Sequence, residues 1–200
     1  MGGAFRQHGF GHRRGQVLMR PPTEFDPPPS PWIERHAALI RAGGRVLDLA
    51  AGGGRHTRLL LARGYNVVAA DRDTTALQVA VAGDAACRVV ALDLENGEAW
   101  RLGDGYDGIV VTNYLYRPAF TDLVAALAPA GVLLYETFMR GNERFGKPSN
   151  PDFLLRPNEL IEAFTLHLTV LAFEQGIVSR PRPAAIQRLA AVKGGIIALD

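Results

Sequence analysis

The stretch VLDLAAGGGRHTRLL, residues 46–60, decides the fold of this chain. A short apolar run comes first, three consecutive glycines follow at residues 52–54, and leucines then recur near helical spacing. This order predicts a strand, a tight turn and a helix that begins at the turn. Glycines let backbone approach a ligand closely, and the first turn of a helix points unpaired N–H groups at that ligand. The stretch therefore predicts a ligand cradle of the nucleotide-binding βαβ type.

The charge at the end of the first predicted strand narrows the choice of ligand. A dinucleotide would place a pyrophosphate over the turn, and its usual fingerprint is G-x-G-x-x-G. This chain has a carboxylate there, Asp48, followed by Ala50, Gly52 and Gly54. A carboxylate repels phosphate but suits an ammonium group. S-adenosylmethionine (SAM) carries an ammonium and a sulfonium and has no phosphate, so we expect SAM as the cofactor.

These residues resemble the glycine-rich motif of class I SAM-dependent methyltransferases. Ala50 stands where that family more often has its first glycine, and we expect this to be tolerated if φ stays negative. The resemblance spans about residues 32–193. It implies a Rossmann-like α/β fold with a seven-stranded, mostly parallel sheet, an antiparallel last strand and helices on both faces. A glycine-rich loop without a ligand is the alternative interpretation.

A narrower resemblance concerns one branch of that family. The run Gly-Arg-His-Thr at residues 54–57 and the compact, uninterrupted core look similar to bacterial tellurite-resistance-type methyltransferases. Fold does not determine substrate, so this likeness names no acceptor.

Composition excludes several classes of protein. A chain of 200 residues that is 48% hydrophobic can bury the core of one domain. A net charge of +2 gives no basic field of the kind that binds nucleic acid. The single Cys87 excludes disulfides and cysteine metal clusters within the chain, and it favours a reducing compartment. We therefore expect a cytoplasmic protein with no metal, and no apolar run reaches the ~18 residues of a membrane span.

The first 31 residues are predicted to lie outside the domain. Residues 1–20 contain four arginines and no acid, and residues 21–31 contain six prolines. This composition predicts a disordered basic tail and then an extended linker. Ser30 and Pro31 predict the N-cap and the first residue of a helix that runs from Trp32 to Ala42. The methyltransferase domain is therefore predicted at residues 32–200.

Carboxylates stand at the ends of the second and third predicted strands. Ligands of open α/β sheets bind beyond the carboxyl ends of the strands, so Asp71 is predicted to accept hydrogen bonds from ribose hydroxyls. The resemblance implies that Asp93 and Leu94 hold adenine, the acid through the exocyclic amine and the leucine through its N–H. A helix N-cap, which Asp73 fills better, and a solvated turn acid are the alternatives. The predicted cofactor-binding residues are Asp48, Ala50, Gly52, Gly54, His56, Asp71, Arg72, Asp93, Leu94 and Asn113.

The fourth and fifth predicted strands bring polar and aromatic residues to the same edge. Members of the resembled family that methylate amino groups often carry Asn-Pro-Pro-Tyr after the fourth strand. This chain reads Asn-Tyr-Leu-Tyr there, so methylation of DNA bases or amide nitrogen is in doubt. Aromatic packing is the alternative role for the tyrosines. No catalytic residue is assigned, and the substrate-side candidates are Asn113, Tyr114, Tyr116, Glu136 and Phe145.

A long polar segment follows the fifth predicted strand. Residues 139–156 contain two glycines and two prolines, and loops of this length are often lids or binding loops. We predict a mobile substrate lid in which Phe138, Phe145 and Phe153 exclude water on closing. The basic residues of the loop suit an anionic substrate, but a solvated surface is the favoured interpretation.

The sequence thus predicts transfer of the SAM methyl group to a small-molecule acceptor. Alignment of the acceptor ~3 Å from the methyl supplies most of the rate, and a base such as Glu136 matters only for a protonated acceptor. Two alternatives stay open. One is a catalytically silent SAM-binding partner subunit, and the other is a nicotinamide-dependent oxidoreductase, against which Asp48 argues. The sequence identifies neither the acceptor nor the oligomeric state.

Overall fold

The computed structural model describes residues 27–97 and 99–195, so the predicted basic tail and the first part of the predicted linker lie outside the described residues. Within the described residues, seven strands form one sheet in the order β3-β2-β1-β4-β5-β7-β6. The strands are β1 (Arg45–Leu49), β2 (Asn66–Asp71), β3 (Cys87–Ala91), β4 (Tyr106–Thr112), β5 (Leu127–Phe138), β6 (Thr169–Val178) and β7 (Ala184–Val192). The α-helices are α1 (Pro31–His36), α2 (Arg55–Ala62), α3 (Thr75–Ala80), α4 (Phe120–Ala126) and α5 (Glu159–Phe164).

Strand directions match the predicted topology. Strands β1 to β5 pair in parallel, and β7 runs antiparallel between β5 and β6. The chain moves outward from β1 to β3, then returns to place β4 on the other side of β1. Ligand sites of open α/β sheets lie at such a reversal, beyond the carboxyl ends of the strands.

Both faces of the sheet are covered, as predicted. Along β1, Val46 packs into the core that contains Trp32 of α1 and Leu60 of α2. Its neighbour Leu47 points the other way, into the core that contains Phe164 of α5. Successive side chains of a strand face opposite sides, so a central strand with helices on both sides is apolar at nearly every position.

The first helix is shorter than the predicted span from Trp32 to Ala42. The Ser30 hydroxyl accepts a hydrogen bond from Trp32 N at 3.1 Å, which confirms the predicted cap. The α-helix ends at His36, however, and residues 37–39 form a 3₁₀ turn. The hydroxyl of Tyr65 donates to Ala37 O at 2.8 Å, so a distant side chain satisfies one of the terminal carbonyls.

The end of the predicted linker contacts the folded domain. Ser30 is buried, and its backbone N–H donates to the His56 ring at 3.0 Å. Pro28 O accepts from Arg55 Nη1 at 3.2 Å. The packed structure therefore begins before residue 32. Among the described residues, no helix combines the length and apolar character needed to cross a membrane.

Candidate active site

A cavity of about 310 Å³ lies at the carboxyl ends of the first strands of the sheet. Parallel strands that end at one edge bring residues from distant parts of the chain together there. The lining residues are Leu49, Ala50, Ala70, Asp71, Arg72, Leu92, Asp93, Leu94, Glu95, Tyr114 and Phe153. Five of the ten predicted cofactor residues and one substrate-side candidate belong to this set. The other predicted residues lie outside the lining, and several have protein partners instead.

The glycine turn borders the cavity and is built from left-handed residues. Gly52 and Gly54 have φ of 54° and 81°. A Cβ on Gly52 would meet nothing within 4 Å, so the space above this part of the turn is open. A Cβ on Gly54 would lie 2.8 Å from Leu77 Cδ1, so this glycine lets α2 and α3 pack closely. Gly52 thus borders open space, whereas Gly54 serves packing.

Ala50 does not have the negative φ under which we expected an alanine to be tolerated at this position. Its φ is +56° rather than negative, which places a side-chain-bearing residue in the left-handed region. An L-residue there suffers a clash between Cβ and backbone that costs about 1–2 kcal/mol. The family's commoner glycine would avoid this strain.

Replacing Ala50 with glycine should therefore raise the free energy of unfolding by about 0.5–1 kcal/mol. The relief of left-handed strain exceeds the extra entropy that glycine gives the unfolded chain. Urea unfolding measures the difference, and Ala51→Gly is the matched control. Ala51 is buried and does not have a positive φ, so glycine there should destabilise. Equal destabilisation by both variants would contradict the strain at Ala50.

Asp71 links the end of β2 to the glycine turn. Its Oδ2 accepts from Gly52 N at 2.7 Å, and its Oδ1 accepts from Asp73 N at 3.1 Å. Asp71 also belongs to the cavity lining. Asp73 accepts from Thr75 N at 3.0 Å and so contacts the start of α3, although the N-cap residue is Thr74 rather than the predicted Asp73. Asp71 thus both borders the cavity and holds the glycine turn through Gly52 N.

The third strand ends in a second acidic corner of the cavity. Asp93 Oδ1 accepts from Glu95 N at 3.0 Å, and Leu94 is buried beside it. Glu95 also lines the cavity, and its carboxylate lies near the Tyr114 hydroxyl. Burial, followed by the charge of Glu95, raises the pKa of Tyr114 above its ordinary value. The tyrosine is therefore neutral near pH 7, and it follows the end of β4 beside the acidic residues that follow β3.

Asp48 does not line the cavity. It is 1% exposed, and its Oδ2 accepts from Thr57 Oγ1 of α2 at 2.6 Å. Its Oδ1 is buried without a hydrogen-bond partner. Burial raises the pKa of this carboxyl group to about 6, although the hydrogen bond from Thr57 opposes the shift. Direct contact with a ligand ammonium stays a prediction, and the contacts present tie β1 to α2.

His56 also faces the protein interior. It is 1% exposed, and its Nε2 accepts from Ser30 N. A backbone N–H can only donate, so the ring proton is on Nδ1, which lies 3.1 Å from Thr112 Oγ1. Burial, followed by the charge of Arg55, lowers the pKa of His56 to about 3. The ring therefore joins the start of α1 to the end of β4, and its predicted role in cofactor binding has no exposed atom to support it.

The segment after β4 is held firmly beside the cavity. Asn113 has φ of 56°, and its N–H donates to Glu136 O at 2.9 Å. Tyr114 O accepts from the Tyr135 hydroxyl at 2.9 Å. Tyr116 packs against the core on the α4 side of the sheet. Of the three predicted residues here, only Tyr114 belongs to the cavity lining.

Glu136 lies at the end of β5 in a row of charges across three strands. Its cross-strand partner is Arg188, with Nη1 3.5 Å from Glu136 Oε2. Arg188 also approaches Glu174 of β6 at 3.1 Å. Arg188 lies over the Trp32 ring at 5.4 Å from the ring centre. The predicted base thus has a cationic partner, and its role in catalysis stays a prediction.

The predicted lid is anchored at both ends. Asn142 is buried, and its side chain accepts from Ala185 N and donates to Pro148 O. Leu154 and Leu155 are buried at the far end. Phe138 is buried in a small cluster with Leu154, so its ring is already packed. The lid stays a prediction, and these contacts favour the exposed part of the loop between the two anchors as the part that would move.

Phe153 rather than Phe145 reaches the cavity. Phe145 is exposed and has Arg144 beside its ring, and it is absent from the lining. Phe153 is 49% exposed and belongs to the lining. The sequence contains no local signal that separates these two aromatic residues. Four lining residues were not named from the sequence. Leu49, Ala70 and Leu92 lie at or next to the ends of β1, β2 and β3, so strand ends were the signal for them. Glu95 lies in the 3₁₀ turn after β3, residues 94–96, and had no such signal.

Solved structures share this architecture. TehB from Haemophilus influenzae has a TM-score of 0.68 and 19% identity, over 80% of this chain and 61% of that protein. The N-methyltransferase NodS from Bradyrhizobium japonicum, in complex with S-adenosyl-L-homocysteine, has a TM-score of 0.61 and 19% identity, over 81% and 87%. A SAM-dependent methyltransferase from Methanosarcina mazei has a TM-score of 0.64 and 14% identity, over 83% and 98%.

This chain has the class I methyltransferase fold. The likeness confirms the fold that the sequence predicted, and TehB belongs to the branch toward which the sequence pointed. The chain spans less than two thirds of the length of TehB, and at these identities the likeness concerns the fold alone. No family model matches the sequence. No curated protein matches it either.

Proposed function

We propose that this protein is a SAM-dependent methyltransferase that acts on a small-molecule acceptor. The observation that carries the proposal is the cavity at the strand ends, where Asp71, Asp93 and Leu94 meet. SAM-dependent methyltransferases share this fold, which supports the proposal that the cavity is a SAM site. Fold alone would not support a function, so the argument depends on the residues of the cavity.

The polar groups of the cavity suit the adenosine half of SAM. A carboxylate has about four acceptor positions, and the backbone donors use one on each oxygen of Asp71. Each oxygen therefore retains a position for a ribose hydroxyl. Asp93 likewise has one oxygen beyond the bond from Glu95 N. Apolar walls for a purine ring come from Leu49, Leu92 and Leu94.

The residues of the chain would act mainly by binding and alignment. When bound, SAM supplies a methyl group on a sulfonium that is already a good leaving group. Tyr114, whose backbone carbonyl accepts from the Tyr135 hydroxyl, would form a neutral wall between the cavity and the substrate side. Holding two reactants in line is worth several kcal/mol of activation free energy, because it replaces a bimolecular encounter. This chemistry requires no further acid or base unless the acceptor arrives protonated.

Calorimetry should show S-adenosylhomocysteine and SAM binding, with NAD⁺ far weaker. Asp71→Ala should weaken S-adenosylhomocysteine binding ~10-fold or more, because hydrogen bonds to a charged acceptor are worth roughly 1.5–3 kcal/mol. Gly52 and Asp73 are exposed, so water can replace Asp71 at their N–H groups and the apoprotein should melt only slightly earlier. Micromolar NAD⁺ binding without SAM binding would overturn the proposal that SAM is the cofactor. Unchanged affinity in the Asp71 variant would overturn its ribose role.

The acceptor is identified by incubating the protein with isotope-labelled SAM and a small-molecule extract. The proposal predicts a labelled product of low molecular mass together with S-adenosylhomocysteine. Binding of SAM without turnover in any extract would instead favour a catalytically silent SAM-binding subunit.

A further inference from the structure

One wall of the cavity comes from a part of the chain far from the strand ends. Phe153 closes a short 3₁₀ turn, residues 151–153, whose Asn150 cap accepts from Asp152 N at 3.0 Å. Phe153 is the lining residue contributed by the loop after β5. Half of its side chain is exposed, so packing alone does not hold the ring against the cavity.

Arg117 holds the backbone on both sides of that ring. Its Nη1 donates to Asp152 O at 2.7 Å, and its Nη2 donates to Leu154 O at 3.1 Å. These two carbonyls flank Phe153 directly in the chain. Arg117 follows Tyr114 by three residues, on the segment that forms another cavity wall. A single guanidinium therefore sets the distance between the two aromatic walls.

Arg117 is itself fixed by a buried carboxylate. Glu159, at the start of α5, is 5% exposed and accepts from Nε and Nη2 of Arg117. It also accepts from Arg156 N at 2.7 Å. Burial raises the pKa of Glu159, but these hydrogen bonds and charges outweigh it, so the pKa lies below its usual range. A paired charge of this kind orients the planar guanidinium fork toward the loop carbonyls.

We propose that Arg117 is a positioning residue that holds Phe153 as an aromatic wall against the nucleoside part of the cofactor. This rests on the proposed function, since the nucleoside is that of SAM. A lysine would keep the charge opposite Glu159, but it lacks the planar fork that bridges two carbonyls and a carboxylate together. The wall would then move away from the ligand without loss of the folded core.

The test compares affinity for S-adenosylhomocysteine among Phe153→Ala, Arg117→Lys and the double variant. An aromatic ring on a base contributes about tenfold or more in affinity, so we expect a loss of that size for Phe153→Ala. Arg117→Lys should lose about fivefold, and the double variant should bind no more weakly than Phe153→Ala alone. Free adenosine should show the same losses. Amides 151–155 should exchange faster in Arg117→Lys than in the wild type.

Arg41→Lys is the matched control. Arg41 pairs through two nitrogens with Asp107, at the opposite edge of the sheet, and should bind S-adenosylhomocysteine like the wild type. Phe153 is too exposed for its loss to threaten folding, so this variant tests the wall directly. Wild-type affinity in Arg117→Lys, or losses that multiply in the double variant, would overturn the proposal. A wild-type protein that binds S-adenosylhomocysteine but methylates nothing would instead overturn the proposed catalysis. It would not contradict the role of Arg117 in positioning Phe153.

Discussion

Replacing His56 with phenylalanine should lower the free energy of unfolding by about 2–4 kcal/mol at pH 8. Phenylalanine preserves most of the buried volume but leaves Ser30 N–H and the Thr112 hydroxyl without their ring partners. A buried polar group that loses its partner costs about 1–3 kcal/mol. Urea unfolding at pH 8 measures the loss.

The cost of that replacement should shrink in acid. The folded-state pKa of His56 is about 3, below the value of about 6.5 in an unfolded chain. Its contribution to stability is therefore complete above pH 6.5 and is lost as the pH falls toward 3, by about 1.4 kcal/mol per pH unit. The wild type and the variant should thus approach each other by about 3 kcal/mol between pH 8 and pH 4. His167→Phe makes the same replacement at an exposed position and serves as the control. A stability difference that stays constant with pH would contradict a neutral, buried His56.

Asp48→Asn should show the opposite dependence on pH. Burial raises the folded-state pKa of Asp48 to about 6, above the unfolded value of about 3.9. The stability tied to this group is complete below pH 3.9 and is lost as the pH rises through 6, for a total of about 3 kcal/mol. Asparagine carries no charge and can still accept from Thr57. Relative to the wild type, the variant should therefore gain about 2 kcal/mol between pH 4 and pH 8.

Asp48 and His56 change the stability of the protein with pH in opposite directions, and this provides a further check. Between pH 4 and pH 6 the effects of Asp48 and His56 offset each other in the wild type, so Asp48→Asn should uncover the acid sensitivity of His56. Asp107→Asn is the control with the opposite sign, because the hydrogen bond from Arg41 holds the pKa of Asp107 below its usual range. If Asp48→Asn and Asp107→Asn change with pH in the same direction, the buried carboxyl is not destabilising. Calorimetry of Asp48→Asn with S-adenosylhomocysteine also tests its predicted role toward the cofactor.

The corner of the cavity at Asp71 and Asp93 was predictable because each acid directly follows an apolar strand. Parallel strands joined by helices end at one edge, so the chain order already brought these carboxylates together. Both line the cavity at that edge. The lining also includes Ala50 of the glycine turn, but the sign of its φ depends on how the turn closes over β2. One turn contact, Ala51 N to Ala70 O at 3.1 Å, is tertiary and has no local sequence signal.

The side-chain orientations of Asp48 and His56 could not be predicted from their positions in the glycine-rich motif. Strand alternation places Asp48 on the same face as Val46, beneath α2, and the hydrogen bond to Thr57 shows that this governs its side chain. The position of Asp48 in the glycine-rich motif had instead suggested that its side chain faces the cofactor. His56 is the second residue of α2, and only the packing of Ser30 and Thr112 around it turns the ring inward.

The sequence by itself determined the order of strands and helices and the edge of the sheet at which the cavity lies. These features depend on apolar periodicity, glycine turns and strand ends, which act over a few residues and leave a local pattern. Tertiary structure alone decided which aromatic residue reaches the cavity. Arg117 and Phe153 are 36 positions apart in the chain. Arg117 meets the two carbonyls that flank Phe153 because β4 and β5 are neighbours in the sheet and the buried Glu159 fixes the guanidinium. Such an arrangement depends on the free energy of many distant contacts together, and no short stretch of sequence records it.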